Sequence, residues 1–148
     1  MKRLFAILAV VAGLGLGGCT FDTQIYTKDY IITPADWKLS EGSVLDSYLY
    51  ASFRNESITR GVINNGNVSV SVFIPNEGTW TPLPYVFPFE YQVVDERTGQ
   101  PTGVTNIIPE VIRFDWAEGE ITFIIQDLDG GIPYAVSGDL TFRVSIFR

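Results

Sequence analysis

The sequence predicts an all-β protein: an antiparallel β-sandwich of the Greek-key or immunoglobulin-like type with about seven strands, with a β-barrel as the second choice. Three observations support this fold class. Apolar and polar residues alternate in several segments, turn-forming residues separate these segments, and the prolines lie mostly between them. Alternation with a period of two is typical of a sheet that buries one face and exposes the other.

The alternating segments give the positions that are expected to face the core. These are Leu49, Ala51 and Phe53; Val68, Val70, Val72 and Ile74; Ile112, Phe114 and Trp116; Ile121, Phe123 and Ile125; and Leu140, Phe142, Val144 and Ile146. The third and fourth segments flank residues 117–119 and are predicted to form a hairpin. The fifth runs almost to the C-terminus, where an integral strand is expected.

One segment departs from the alternation. Residues 57–66 fit a single helical turn, with Ser57 or Thr59 as the N-cap and Gly66 at the C-terminal end. In the competing interpretation, Asn65 and Gly66 form a hairpin turn. Both interpretations predict a positive φ at Gly66.

Residues 1–18 have the layout of a secretory signal peptide. Lys2 and Arg3 form a cationic start, an apolar run with small residues ends at Leu16, and the first carboxylate is Asp22. The run is shorter than the roughly 20 apolar residues of a transmembrane helix. We therefore expect this segment to be removed from the mature protein.

The tetrad Leu16-Gly17-Gly18-Cys19 resembles the bacterial lipobox, and Cys19 is the only cysteine. We predict cleavage between Gly18 and Cys19 and lipidation of Cys19, so that membrane lipid is a partner through this anchor. The alternative is an ordinary signal peptide that ends near an unmodified cysteine. Residues 19–30 are assigned to the lipidated cysteine and a short tether, and residues 31–148 to a single sandwich domain.

Composition excludes several function classes. Histidine is absent, so Ser-His-Asp triads, Cys-His pairs and histidine-ligated metal sites cannot be built. The chain has 10 Lys and Arg residues and 17 Asp and Glu residues. Removal of Lys2 and Arg3 with the signal peptide leaves 8 basic residues, so the mature protein has a net charge of −9. This acidity disfavours nucleic acid as a partner. We predict no catalytic residue, no metal and no cofactor.

Two acidic segments are candidates for a metal site or a catalytic carboxylate pair. Asp127 and Asp129 are spaced like the first ligands of a calcium loop, but Gly131 and Gly138 stand where the later ligands of that loop would be. A plain acidic turn is the favoured interpretation, and cation binding by Asp127 and Asp129 stays open. Residues 95–99 are predicted to be a solvated hairpin tip.

The segment from Trp80 to Phe89 combines aromatic residues with three prolines, so it cannot form a regular central strand throughout. Rigid exposed aromatics make stacking platforms for sugars or peptides, whereas buried ones fill the end of a sandwich. Burial at the end of the sandwich is the favoured interpretation, and in the alternative Trp80, Tyr85 and Phe87 form a binding surface.

Three stretches of the sequence resemble segments of small uncharacterised envelope lipoproteins of Gram-negative bacteria. They are residues 34–37 (Pro-Ala-Asp-Trp), residues 58–70 (Ile-Thr-x-x-Val-x-x-Asn-Gly-x-Val-x-Val) and residues 80–85 (Trp-x-x-Leu-Pro-Tyr). The resemblance covers most of the mature chain. It implies an all-β lipoprotein and no functional residue.

These observations predict a lipid-anchored envelope protein that acts as a binding or structural module. Thr20 follows Cys19, and the absence of an aspartate there favours the outer membrane. Exposure to the periplasm and exposure to the medium both stay open, as do an envelope glycan and a protein as partner. The alternative function is a glycan-active enzyme that uses two carboxylates roughly 5 to 10 Å apart, as glycosidases do.

Overall fold

A computed structural model describes residues 24–40, 47–95, 97–129, 131, 133 and 136–148, and nine β-strands in two antiparallel sheets make up most of these residues. The strands are β1 (Ile25–Ile32), β2 (Lys38–Leu39), β3 (Tyr48–Arg54), β4 (Asn67–Ile74), β5 (Thr79–Pro82), β6 (Tyr85–Val94), β7 (Pro101–Ala117), β8 (Glu120–Asp127) and β9 (Leu140–Phe147). A 3-10 helix spans Pro34–Asp36, and the helix α1 spans Arg60–Asn65.

The two sheets pack face to face. Sheet A has the strand order β1-β9-β4-β5, and sheet B has the order β2-β3-β8-β7-β6. The predicted all-β sandwich is confirmed, with nine strands among the described residues instead of about seven. The additional strands include β2, of two residues, and β5, of four, which are too short for an alternating pattern to reveal.

The core lies between the sheets and is centred on aromatic rings. Phe142 of sheet A and Phe123 of sheet B are both fully buried, and their ring centroids are 4.4 Å apart. Tyr30 and Phe53 pack against Phe123 at centroid distances of 5.5 and 6.1 Å. All the apolar positions that the alternation predicted to face inward are buried or half-buried.

The first strand begins earlier than the predicted domain boundary. All eight residues of β1 pair with β9, so residues 25–30, which the sequence assigned to the tether, belong to the sandwich. Of these eight residues only Tyr30 and Ile32 are buried. A strand at the edge of a sheet is covered on one side only, which explains why its alternation is weak in the sequence.

The helical interpretation of residues 57–66 is confirmed, but the predicted backbone of Gly66 is wrong. Thr59 caps α1, and its Oγ1 accepts a hydrogen bond from the amide of Val62 at 3.4 Å. Gly66 has φ −107° and ψ −167°, an extended conformation. Glycine is needed there for space, because a Cβ atom would collide with the carbonyl oxygen of Phe147.

The sandwich has two distinct ends. The entry end is where β1 starts at Ile25, beside Phe147 and Asn67. It also holds α1 and the predicted β7–β8 hairpin, where the amide of Gly119 donates a hydrogen bond to the carbonyl of Ile58 at 2.8 Å. The far end is where β1 stops at Ile32, about 23 Å away at the usual rise of a strand.

A two-stranded ribbon extends beyond the far end. β7 pairs with β8 only from Glu110 onward, so the described strand residues of the β6–β7 arm (residues 88–109) pair as strands only with one another. Residues 101–107 are all exposed, Val104 and Ile107 by more than half. At its tip, Asp95 Oδ1 accepts hydrogen bonds from the amides of Arg97 and Thr98, which lower the pKa of Asp95. The predicted hairpin tip is therefore confirmed.

Phe142→Ala tests the central contact of the core. Loss of the ring should lower the free energy of unfolding by about 3–5 kcal/mol, because a large buried side chain is replaced by a cavity. The measurement is a pair of denaturant unfolding curves. Thr141→Ala, on the opposite face of the same strand, is the control and should cost less than about 1 kcal/mol. Equal losses for the two variants would contradict the assigned strand faces.

Candidate functional site

The structure does not bring Trp80, Tyr85 and Phe87 together. The chain passes from sheet A to sheet B between β5 and β6, and the Leu83–Pro84 peptide bond in this crossing is cis. Trp80 is opposite Phe73 in β4, on the outer face of sheet A. Tyr85 and Phe87 alternate with the exposed Val86 and face inward from sheet B. The predicted binding surface is therefore divided between the outer face of sheet A, which holds Trp80, and the space between the sheets, which holds Tyr85 and Phe87.

Trp80 is held in a polar cluster on the outer face of sheet A. Its ring lies 5.3 Å from that of Phe73, and Arg143 Cζ is 4.1 Å from its centroid. Arg143 Nε and Nη2 donate hydrogen bonds to the two carboxylate oxygens of Asp29, at 2.9 and 2.8 Å. These contacts link β1, β9 and β5. Because the guanidinium covers the indole, less of the Trp80 ring is free for a ligand.

Tyr85 and Phe87 line a cleft of about 380 Å³ between the sheets at the far end. Their rings are nearly parallel, at 13°, with centroids 6.4 Å apart. The apolar walls of the cleft come from both sheets and from the segment before β9. They include Val72, Ile74, Ile112, Ile125, Val136 and Leu140. The volume lies within the range of about 300–1,000 Å³ that is typical of small-molecule sites.

The cleft also contains carboxylates. Glu110 lines it with only 2% of its surface exposed, and Asp139 lines it from an exposed position. Glu110 is opposite Asp127 on the neighbouring strand, and Asp127 is buried as well. An inward carboxylate pair at the last register position of β7 and β8 is the feature of the site that the sequence analysis missed.

A signal for this pair was present in the pattern. Glu110 comes two residues before Ile112, and Asp127 two residues after Ile125. The period of two therefore places both carboxylates on the inward face. Because carboxylates are seldom buried, the alternation of apolar residues alone predicts inward positions only as far as Ile112 and Ile125.

Asp127 also shapes the turn that follows β8. Its Oδ1 accepts a hydrogen bond from the amide of Asp129 at 2.7 Å, and the amide of Leu128 donates to the carbonyl of Pro109 at 3.0 Å. This is the acidic turn that the sequence favoured. Among the described residues, no group of three His, Cys, Asp or Glu is placed to hold a metal ion.

A second depression, of about 490 Å³, lies at the entry end. It is lined by residues that include Gln24, Ile25, Tyr26, Val62, Ile146 and Arg148. Gly18 and Cys19, the predicted cleavage and lipidation sites, lie outside the described residues. Within the described part of the chain, neither helix has the length and apolar character required to cross a bilayer.

A scan of protein families, a search of curated proteins and a search of solved structures each found no match to this chain. The function is therefore inferred from the geometry of the described residues.

The Asp29–Arg143 pair should make stability depend on pH. The hydrogen bonds from Arg143 lower the pKa of Asp29 in the folded protein. Asp29 therefore stabilises the fold above its unfolded pKa of about 3.9, and this contribution is lost as the pH falls through the lower folded value. Because both side chains are more than 40% exposed, Asp29→Asn should cost at most about 1 kcal/mol at pH 7.

Unfolding midpoints of the wild type and Asp29→Asn, measured in steps downward from pH 6, should converge only below about pH 3.9. Added salt at pH 7 is the control, since 1 M salt shortens the screening length to about 3 Å and should reduce the difference. A difference that persists unchanged at the lowest pH would show that the ion pair is not its origin.

Proposed function

We propose that the protein is a lipid-anchored envelope protein that binds a small ligand in the far-end cleft. One observation carries the proposal: the cleft lies at the end of the sandwich opposite to the end where the chain enters. Ile25 is six positions after Cys19, so a lipidated Cys19 holds the entry end within about 20 Å of the bilayer. The cleft then points away from the membrane.

This orientation fits the positions of the two depressions described above. The depression at the entry end would face the lipid, whereas the far-end cleft and the β6–β7 arm would face the aqueous space. The outer membrane is the proposed location, because Thr20 follows Cys19. Apolar walls with a few polar groups are the usual composition of a ligand site, which supports binding through the cleft.

The alternative of a glycan-active enzyme is favoured by the pairing of Glu110 with Asp127. Directly opposite residues of antiparallel strands have Cβ atoms about 4.5–5.5 Å apart, a spacing compatible with the two carboxylates of a retaining glycosidase. However, Asp127 Oδ1 already accepts the amide of Asp129, and Asp127 does not line the cleft. Binding is therefore the better supported function. An assay for reducing ends released from envelope glycans distinguishes the two functions, because only the enzyme would produce them.

Cys19→Ser tests the anchor. The serine has no thiol to accept a diacylglyceryl group, so incorporation of labelled palmitate should be lost, and the protein should stay uncleaved by the lipoprotein peptidase or be released in soluble form. The measurement is labelling followed by membrane fractionation. Thr20→Ser, which retains the thiol, is the control and should label normally. Labelling of Cys19→Ser would refute the anchor.

Tyr85→Ala tests the cleft. We expect the neutral probe 4-phenylbutan-1-ol to bind the lipidated protein in phosphatidylcholine nanodiscs, and Tyr85→Ala to weaken binding about fivefold, since an aromatic contact contributes roughly 1 kcal/mol. Titration calorimetry with empty nanodiscs as the blank measures this. Trp80→Ala is the matched control on the outer face and should bind normally. Loss of binding in Trp80→Ala but not in Tyr85→Ala would place the site on sheet A.

A further inference from the structure

The entry end exposes apolar side chains around its depression. Ile25 and Tyr26 line the depression and are 60% and 46% exposed. The buried Val62 and Ile146 also line it, and Ile63, the residue after Val62 in α1, is 37% exposed. Exposed apolar side chains that are grouped at one place are typical of a surface that binds a protein or a membrane.

The proposed anchor favours a membrane as the partner of this surface. Ile25 is six positions after Cys19, so the lipid surface would stay within about 20 Å of the entry end. A short tether of this kind raises the effective concentration of a second contact to roughly the millimolar range. Even a weak apolar contact with the bilayer would then be made most of the time, whereas a soluble protein partner has no such advantage.

The side chains of this surface suit the boundary between lipid headgroups and acyl chains. A tyrosine combines an apolar ring with a polar hydroxyl group, and tyrosines are enriched at both membrane–water interfaces. Apolar side chains such as Ile25 and Ile63 favour insertion at this boundary. The polar residues that line the depression include Gln24, Ser57 and Thr59, which carry groups able to hydrogen-bond to lipid headgroups.

The distribution of charge favours the same orientation. At the entry end the described charged residues balance in number: they are Arg54, Arg60 and Arg148 against Glu56, Glu118 and Glu120. At the far end and along the β6–β7 arm, the exposed charged residues are mostly acidic and include Glu77, Glu90, Asp95, Asp129 and Asp139. A negatively charged lipid surface therefore repels the far end more than the entry end.

We infer that the entry end docks on the headgroup layer of the bilayer that holds Cys19, with Ile25, Tyr26 and Ile63 inserted at its surface, so that the sandwich keeps one orientation. This inference rests on the proposed function, because the anchor supplies the bilayer. It adds a direct contact between the folded domain and lipid, which a flexible tether alone does not require. The far-end cleft is then held facing the aqueous space.

Hydroxyl-radical footprinting of the lipidated protein in nanodiscs of phosphatidylcholine and phosphatidylglycerol tests this contact. Ile25 and Ile31 form a matched pair, since they are of one residue type, lie near opposite ends of β1, and are 60% and 65% exposed. Docking should make Ile25 react at least about fivefold more slowly than Ile31, as expected for a side chain that is buried in lipid most of the time. Mass spectrometry measures the two rates.

Tyr26→Asp and Ile63→Asp place a carboxylate on the docking surface and leave the tether unchanged. Because a charge is costly to bury and is repelled by anionic headgroups, each variant should bring the rates of Ile25 and Ile31 within about twofold of each other. Ile107→Asp adds the same charge to the β6–β7 arm and should keep Ile25 slow. Melting curves check that the three variants are folded.

Equal rates of Ile25 and Ile31 in the lipidated wild type would overturn the docked orientation while leaving the anchor and the cleft in place. A slow Ile25 that persists in both Tyr26→Asp and Ile63→Asp would overturn it as well, because the tether alone would then explain the protection. Absence of labelled palmitate from the wild-type chain would instead overturn the proposed anchor itself.

Discussion

The contact between Phe123 and Phe142 is the interaction on which the rest of the structure depends. Each ring is fully buried on an interior strand, one in each sheet, and their centroids are 4.4 Å apart. Tyr30, Phe53 and Trp37 surround them and fill the middle of the sandwich. Because buried apolar area is the main favourable term in folding, this cluster holds the two sheets face to face without any disulfide.

The same core explains where the cleft forms. At the far end, the inward positions of sheet B pass from large apolar residues to the carboxylates Glu110 and Asp127. These side chains do not supply the apolar volume that Ile112 and Ile125 supply one pair earlier. The sheets are therefore less completely filled there, and the remaining space is lined by Tyr85 and other residues of both sheets. The cleft at this end thus follows from the end of the apolar core.

The edges of the sheets show a second constraint. Pro88 and Pro109 are opposite each other in β6 and β7, and two residues without an N–H are best accommodated at a pair that is not hydrogen-bonded. The nitrogen of Pro88 then points to the free edge of sheet B, where it disfavours the addition of another strand. Pro109 points instead to the side of β8, which has ended at Asp127. The two prolines thereby mark where the β6–β7 arm leaves the sandwich.

The sequence by itself determined the fold class, the inward faces of five strands and the β7–β8 hairpin, and it offered the helical turn before β4 as one of two interpretations. These features depend on local periodicity and turn chemistry, which a single chain displays directly. Gly66 is different: its neighbour Phe147 is 81 positions away in the sequence, so the need for glycine there could not be read from local geometry.

Tertiary structure alone decided the rest. The sequence grouped Trp80 with Tyr85 and Phe87 because they are close along the chain. The crossing between the sheets instead places Trp80 on the outer face of sheet A, and Tyr85 and Phe87 between the two sheets. The sequence also could not show that Asp29 meets Arg143, or Glu110 meets Asp127, because strand pairing connects residues that are far apart in the sequence. Alternation assigns a residue to a face of a strand, whereas the order and register of the strands determine which residues meet on that face.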